Sequence, residues 1–401
     1  MKDIDLFALA LGLSEPWIVK STEFKPEEHR LDINIDFKPG SKFSCPSCDF
    51  AGTAHDTIQK TWRHLNFFQH EAYINARVPR IKCETHGVHM IDVPWARQGS
   101  GFTLLFEALA MVMVKEMSVK GVSRIIGTTD TRLWRVLEHY VEADIAKQDL
   151  SRVTKVGFDE TASKRGHSYI TVAADMETGK AIFVTEGKDA ATIKAFAEHL
   201  EAHGGSKAAI KEVCSDMSPA FISGVEEHLP DAAITFDRFH VMKLLGEAVN
   251  KVRKEEAQSE TVLRGSKYVW LSNTANLSEH NLTRLKSLVG LQLKTAKAWR
   301  MMIIFKGLFD FSATRAVEEL KRWRLWAARS KLAPIVDFAR MLKKHWDGVV
   351  RWLFSGLTNG LLESLNSLIQ AAKSRARGYR TVKNLKIITY IVAGKLGQLP
   401  T

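Results

Sequence analysis

Four metal-type side chains stand in two pairs, each with two residues between its members: Cys45 and Cys48 in "CPSC", Cys83 and His86 in "CETH". Thirty-four residues separate the pairs. Two such pairs close into a tetrahedron of soft and borderline ligands, the arrangement of one structural zinc ion. Whatever else this segment does, it must fold back on itself to bring the pairs together. His89 lies three residues beyond His86 and is an alternative fourth ligand. Four cysteines in 401 residues are too few for a disulfide scaffold. The remaining one, Cys214, reads as a small core hydrophobe.

Around these pairs, residues 1–98 read as short strands and turns. "WIVKSTEF", "RLDINIDF" and "EAYINARVPRIKC" have strand patterning, and "FKPGSK" is a turn. The length predicts more than one domain, and a hydrophobic fraction of 45% is ordinary for a chain with a real core. No stretch of about 18 residues is apolar throughout, so no membrane span is expected. The opening "MKDIDLFALALGL" has acids before a short apolar run and does not fit a secretory signal. A cytoplasmic, nucleoid-associated protein is the expectation.

Charge supplies the reason to expect the nucleoid. Lys and Arg total 57 against 45 acids, a net charge of +12 and a pI near 9.4. A polyanionic partner follows, and double-stranded DNA is the obvious one. The bias is concentrated late in the chain: 14 basic against 5 acidic residues in 294–351, and 7 against 1 in 358–401.

Residues 99–150 read as helices. "SVKGVSRIIG" ends at Gly127, and "TTDTRLWRVLEHYVEADI" follows with Thr and Asp at its start. Two short helices around a glycine turn predict a helix-turn-helix, with the second helix toward DNA and Arg132 and Arg135 on it. A plain helical hairpin has the same pattern.

Residues 151–245 change character. "TKVGFDE", "HSYITVAADME" and "KAIFVTEG" predict three antiparallel strands. Alternating helix and strand follow, giving an α/β sheet of mixed direction. Asp159 is read as ending the first strand and Asp216, in "EVCSDMS", the fourth. Ligands in open sheets gather at strand ends, so the two converge if those strands are neighbours. Glu160 must point the other way.

Residues 246–355 predict helices with six tryptophans, and 356–401 two more helical stretches. Asn359, Glu363 and Asn366 fall at i, i+4 and i+7, one face of a helix beginning near Thr358. Bringing Asp159, Asp216 and Glu363 together costs on the order of 4 kcal/mol per pair about 4 Å apart at an effective dielectric of 20. A hard divalent cation, Mg²⁺ or Mn²⁺, removes that cost. Each acid has a plain structural account too: a turn acid, a helix N-cap and a first-turn dipole partner. Asp237 in "TFDRFH" is a reserve ligand, alternatively bridged to Arg238 or to a neighbouring helix, and His240 reads equally as a packed core histidine.

The ordered blocks "CPSC…CETH", "GFDETASKRGHSYITV", "CSDMSPAF", "TFDRFHVMKL" and "TNGLLESLNSLIQAAKSRARGYR" resemble the ISL-three family of bacterial insertion-sequence transposases over nearly the whole chain. The resemblance implies a multidomain α+β and α/β protein. Its parts would be a β-rich zinc-binding domain (1–98), a helix-turn-helix (99–150) and a ribonuclease H-like catalytic domain (151–245 and 356–401) split by a long all-helical insertion (246–355). It implies Asp159, Asp216 and Glu363 as catalytic acids holding two Mg²⁺ or Mn²⁺ ions, and one zinc on Cys45, Cys48, Cys83 and His86, where the family more usually has a cysteine at the last position. It implies action on terminal inverted repeats and target DNA by hydrolysis and strand transfer, with a homodimer on paired ends. Lys373, Arg375, Arg377 and Arg380 are expected on the DNA backbone, on the same or the next helix. Trp299 is expected to pack between helices, stacking on a flipped base being its other reading. Two rival functions remain: a non-catalytic zinc and helix-turn-helix regulator, and a structure-selective metal-dependent nuclease.

Overall fold

A computed structural model describes residues 2–48, 50–164, 166, 168–357 and 360–397. The chain forms two compact units, the first reaching Tyr140 and the second spanning Val141–Lys395.

In the first unit, helix α1 (Asp3–Ala10) precedes β1 (Trp17–Lys25), β2 (Arg30–Phe37), β3 (Lys42–Ser44), β4 (Ala51–Thr53), β5 (Asp56–Arg63), β6 (Glu71–Cys83) and β7 (Gly87–Met90). The main sheet has the order β1-β2-β6-β5, with β7 also on β6, and β3 and β4 form a separate ribbon. At 13 residues β6 is long enough to pair with β2, β5 and β7 in turn. Its alternate residues Ile74, Ala76 and Val78 are buried, together with Ile33 and Ile35 of β2 and the rings of Trp17, Trp62 and Trp95. Reading 1–98 as strands alone misses α1. Its near-continuous apolar run, Ile4 and Leu6 to Ala10, obscures the stripe of Ile4, Phe7, Ala8 and Leu11 that packs on the core, and none of its residues is fully buried. The helix is started locally: Asp5 accepts the Lys2 N–H, and Asp3 and Asp5 sit in the first turn, where the helix dipole favours acids.

Helices α2 (Leu104–Glu116), α3 (Val119–Ile125) and α4 (Asp130–Ala146) follow. Thr103 and Ser118 cap α2 and α3 through their hydroxyls. Gly127, at φ +67°, makes the left-handed turn between α3 and α4. Only α3, with 7 residues, is short; α4 has 17. Glu107 of α2 is fully buried and takes hydrogen bonds from Arg97 Nε (3.0 Å), Ser100 Oγ (2.6 Å) and Tyr140 OH (2.5 Å). That network ties α2 to α4 and to the loop before it, the satisfied form in which a buried carboxylate is tolerated.

The second unit opens with β8 (Lys155–Ala162), β9 (Tyr169–Asp175), β10 (Lys180–Glu186), α5 (Ala190–Ala202), β11 (Glu212–Ser215), α6 (Pro219–His228), β12 (Ala233–Phe236) and α7 (Arg238–Glu256). The sheet order is β10-β9-β8-β11-β12; the first three strands are antiparallel and β8, β11 and β12 run parallel. Phe158, Phe196 and Phe221 pack beneath it against α5 and α6. The mixed sheet expected from the sequence is present, with one difference. Strand β8 does not end at Asp159 but continues to Ala162, because β9 pairs with it as far as Ala162–Tyr169. Its other neighbour β11 pairs with it only up to Cys214–Gly157.

From α7 onward every described helix or strand up to Ser355 is helical: α8 (Lys267–Leu271), α9 (Glu279–Gly290), α10 (Lys294–Gly307), α11 (Ala313–Ala328), α12 (Ala333–Lys344) and α13 (Trp346–Ser355). Their main core joins Phe305, Trp323 and Phe338 to Val241 and Leu245 of α7 and Phe236 of β12. Helices α14 (Gly360–Arg375) and α15 (Val382–Ala393) then return to the sheet, where Val184 N–H of β10 donates to Tyr390 OH (3.0 Å).

Candidate active site and metal centre

Cys45 follows β3, Cys48 lies in the turn toward β4, Cys83 ends β6, and His86 lies in the turn to β7. The donor atoms of these four residues all lie within 4.8 Å of one another. Individual separations are 3.9 Å (Cys45 Sγ to His86 Nδ1), 3.7 Å (Cys48 Sγ to Cys83 Sγ) and 3.6 Å (Cys83 Sγ to His86 Nδ1). A tetrahedron with metal–sulfur bonds of about 2.3 Å has edges of about 3.8 Å. The fit to one zinc ion is therefore good. Backbone N–H groups of His86 and Thr85 and the His86 ring draw the Cys83 thiol down to about 6, toward the thiolate a metal needs. The sequence leaves His89 open as the fourth ligand; here its Nε2 meets the carbonyl oxygen of His86 instead.

In the second unit the sheet aligns the acids. Gly157 of β8, Cys214 of β11 and Thr235 of β12 are register partners across three neighbouring parallel strands. Two residues further along each strand stand Asp159, Asp216 and Asp237. Since β11 stops pairing at the level of Gly157, Asp159 lies where one edge of β8 is released. Burial pushes the Asp159 carboxyl up to about 6, and the negative charges of Asp216 and Glu160 add to that while His240 opposes it. Asp159 Oδ1 accepts the Glu160 N–H (2.8 Å), and Asp216 Oδ1 accepts the Ser218 N–H (2.9 Å) just ahead of α6. The first is the turn interaction expected of a lone acid, but Asp216 is not the expected N-cap, because Ser218 holds that position on α6.

Helix α14 lies along the same strand. Leu362 covers Gly157 so closely that a Cβ there would come within 2.7 Å of Leu362 and 2.5 Å of the Met176 sulfur. Four residues on, Asn366 Nδ2 donates to Asp159 Oδ2 (2.7 Å). Gln370 reaches Thr161, and Lys373 Nζ reaches the Ala162 carbonyl (2.7 Å). The match is metrical: four helical residues rise about 6 Å and two strand residues about 6.6 Å. Glu363 sits in the first turn of α14, between Leu362 and Asn366, with an exposed side chain. Asn359, the first member of the expected polar face, lies outside the described residues. Among the described residues, the Cys/His set is the one group of three or more metal-type ligands within 4.8 Å. Asp159 and Asp216 are close enough for their charges to interact, whereas Asp159, Asp216 and Glu363 do not form such a group.

Asp237 caps α7. Its Oδ2 accepts both the backbone N–H of His240 (3.2 Å) and the ring Nδ1 (3.2 Å). The expected bridge to Arg238 does not form; that guanidinium lies over the rings of Phe309 (4.4 Å) and Trp352 (5.4 Å). Hydrogen bonding to Asp237, aided by the charges of Asp159 and Asp216, raises the His240 pKa. His240 is half-buried beside these acids rather than a core residue, a placement that apolar patterning could not show. The signal in the sequence was the D-x-x-H spacing at a strand-to-helix junction, which is N-cap spacing. Cys214 is fully buried, and burial pushes its thiol up to about 12, as befits a core residue.

Among the basic candidates, Arg132 and Arg135 are exposed on α4, and Arg132 lies over the Phe102 ring (4.1 Å). Lys373 and Arg375 are on α14, but Arg377 and Arg380 lie in the connection to α15 and not on a helix. The left-handed backbone at Arg377, φ +56°, ends α14 there. Lys164, Lys373, Arg377 and Arg380 line an open basic hollow of about 740 Å³ with Ser163, Gln370 and Tyr379. Trp299 packs edge-on against Trp270, with ring centroids 6.1 Å apart, so it serves the helical core. No helix among the described residues is long and apolar enough to cross a membrane.

Comparison with known proteins agrees with this order of parts. Residues 41–86 match the zinc finger of IS204/IS1001/IS1096/IS1165 transposases, 91–141 the helix-turn-helix domain of transposase family ISL3, and 156–389 the ISL3 transposase domain. The chain is 25% identical over 443 aligned residues to the transposase for insertion sequence element IS1557 of Mycobacterium tuberculosis, covering 100% of this chain and 98% of the relative. It is also 25% identical to the transposase for insertion sequence element IS1001 of Bordetella parapertussis, over 92% of this chain and 94% of that one. Because the transposase-domain match alone spans more than half of the sequence, and the zinc ribbon before it has its ligands gathered, the protein belongs to the ISL3 family of insertion-sequence transposases.

Proposed function

We propose that the chain recognises the terminal inverted repeats of its insertion sequence and cuts and joins DNA strands there with Asp159, Asp216 and Glu363 as a DDE-type acid set. The observation that carries this is the Asn366–Asp159 hydrogen bond, by which the helix bearing Glu363 is tied to the strand bearing Asp159. Further support comes from the sheet. Three antiparallel strands continued by two parallel ones, with helices following, is the order of a ribonuclease H-like domain. The helices from α7 to α13 then stand as an insertion between its second and third acids.

The oxygen-only donor set suits a hard divalent cation, and the burial that raises Asp159 is the unbalanced charge such a cation relieves. Asp159, Asp216 and Glu363 would hold two Mg²⁺ or Mn²⁺ ions. Bound there, the ions supply activation of the attacking oxygen and stabilisation of the leaving one. The chain itself orients the acids: Asn366 fixes Asp159, and the Ser218 N–H fixes Asp216. Arg132 and Arg135 contact the repeat DNA, and Lys373, Arg375, Arg377 and Arg380 its phosphates. A homodimer brings the paired ends together.

The test is cleavage of duplex DNA carrying the element's ends, with Mg²⁺ present. Cutting at the repeat boundary, lost in Asp159→Asn and Glu363→Gln while DNA binding persists, is the expected result. Binding without cutting by the wild type would instead indicate a regulator. Equal cutting of branched DNA lacking repeats would indicate a nuclease.

A further inference from the structure

The helices from α7 to α13 carry a cluster of cations that the proposed chemistry leaves unused. Residues 320–336 hold five basic side chains and no acid. On α11, Ala316, Leu320, Trp323 and Ala327 face the core. That leaves Lys321, Leu325 and Arg329, at i, i+4 and i+8, as an outward row about 12 Å long. All three are exposed, and Glu318 closes the row at its N-terminal end. Two residues past Arg329, Lys331 takes a left-handed backbone, φ +62°. Glycine would hold that turn without strain. An exposed lysine stands there instead. From α10, Lys297 Nζ donates to the Ser330 carbonyl (2.8 Å), which brings another ammonium to the same turn. Arg322 pairs with Glu319, and Arg340 with Asp337. Lys321, Arg329 and Lys331 have no ion pair among the described residues.

The dipole at the C-terminus of α11 accounts for one cation at this turn. It does not account for three, because α12 starts at Ala333 and adds its own positive N-terminal end. Cations held together without acids repel one another, and a run of phosphates removes that cost. Duplex DNA carries one charge per about 1.7 Å of its axis, so a row of about 12 Å meets several. We propose that Lys321, Arg329 and Lys331 bind the phosphate backbone of duplex DNA, in addition to the contacts of α4 and of the basic hollow beside α14. Contacts of this kind position a duplex without reading its sequence. The inference rests on the DNA binding proposed above.

The experiment is a salt titration of binding by the full chain, on duplex carrying the element's ends and on duplex lacking them. Lys321→Ala, Arg329→Ala and Lys331→Gly combined should lower the slope of log affinity against log salt by about 0.9 for each contact, nearly 3 together. The drop should be equal on both duplexes, because a phosphate contact carries no sequence information. Lys331→Gly alone separates charge from scaffolding. It removes a cation and relieves the backbone, so the slope should fall by about 0.9 while the urea midpoint holds or rises. Lys331→Arg keeps the charge and should keep the slope. As a control, Lys180→Ala, Lys194→Ala and Lys211→Ala combined remove as much charge from exposed positions elsewhere and should leave the slope near the wild-type value. A wild-type slope in the combined α11 variant overturns the proposal, and so does an equal drop in the control. A combined variant that binds DNA as the wild type does but changes its mass in light scattering marks a protein interface and overturns it too. If the combined variant does not fold, Lys331→Gly and Lys331→Arg carry the same comparison. A wild type that binds neither duplex overturns the DNA binding itself, a separate outcome.

Discussion

Asn366 and Asp159, 207 positions apart in sequence, meet in a 2.7 Å hydrogen bond from Nδ2 to Oδ2. It is the point at which α14 is locked to β8, and the neighbouring Leu362–Gly157 contact leaves no room for the helix to settle closer. Replacing the amide with a second carboxylate turns attraction into repulsion inside a half-buried site. Asn366→Asp should cost about 1–3 kcal/mol of stability, read as a lowered urea midpoint at unchanged m. It should also abolish cleavage. An unchanged midpoint would mean that the bond does not anchor the helix.

The Asp159 carboxyl has a direction of pH dependence that follows from its burial. Its folded pKa, about 6, lies above the ordinary 3.8. A carboxyl raised in this way costs stability when ionised: the cost is absent below about 3.8, grows as pH rises, and is complete above about 6. Metal-free wild type should therefore lose stability relative to Asp159→Asn between pH 4 and pH 7, by about 1–3 kcal/mol. Mg²⁺ should stabilise the wild type more at pH 7 than at pH 5, because protons compete for the same oxygens. Thermal melts at both pH values, with and without Mg²⁺, check both statements. A difference between wild type and Asp159→Asn that stays flat with pH would refute the assignment of the shift.

The zinc ribbon separates two histidines that the sequence could not. His86 offers its Nδ1 to the three thiolates, whereas His89 spends its ring on a backbone carbonyl. His89→Ala should retain one zinc per chain by elemental analysis. His86→Ala and Cys83→Ser should lose it or hold it far more weakly. Chelation should melt the β3–β4 ribbon first, since with only three residues per strand it has little of its own to hold it. Equal zinc loss from both histidine variants would contradict the geometry.

What was legible in the sequence was whatever depends on local pattern or fixed spacing. The thirteen-residue run ending at Cys83 is β6 to the residue, and the proline opening "PAFISGVEEHL" is the first residue of α6. The sequence left open whether the strands leading to Asp159 and Asp216 are neighbours, and the sheet order β10-β9-β8-β11-β12 makes them so. What escaped depends on partners far away in the chain. The extra length of β8 is set by β9 on one edge and withheld by β11 on the other. α1 is held by docking Ile4, Phe7, Ala8 and Leu11 on the core, with Asp5 accepting the Lys2 N–H at its start. Whether His240 is core or site turns on a single hydrogen bond to Asp237, and whether Lys373 faces DNA or protein turns on one to Ala162.

The last contrast makes the basic side chains separable. Lys373 already donates to the Ala162 carbonyl, whereas Arg377 and Arg380 are exposed beside the basic hollow. A cation that neutralises a DNA phosphate releases about 0.9 counterion, and its removal flattens the plot of log affinity against log salt by that amount. Arg377→Ala and Arg380→Ala should each reduce the slope by about 0.9 if each holds one phosphate. Lys373→Ala should reduce it less, because the ammonium is shared with the strand, but should loosen α14 and so lower the cleavage rate. Salt titrations of end binding from 50 to 200 mM, run beside cleavage assays, distinguish the two effects. If Lys373→Ala shows the full slope change with cleavage intact, the lysine serves DNA and its bond to Ala162 is incidental.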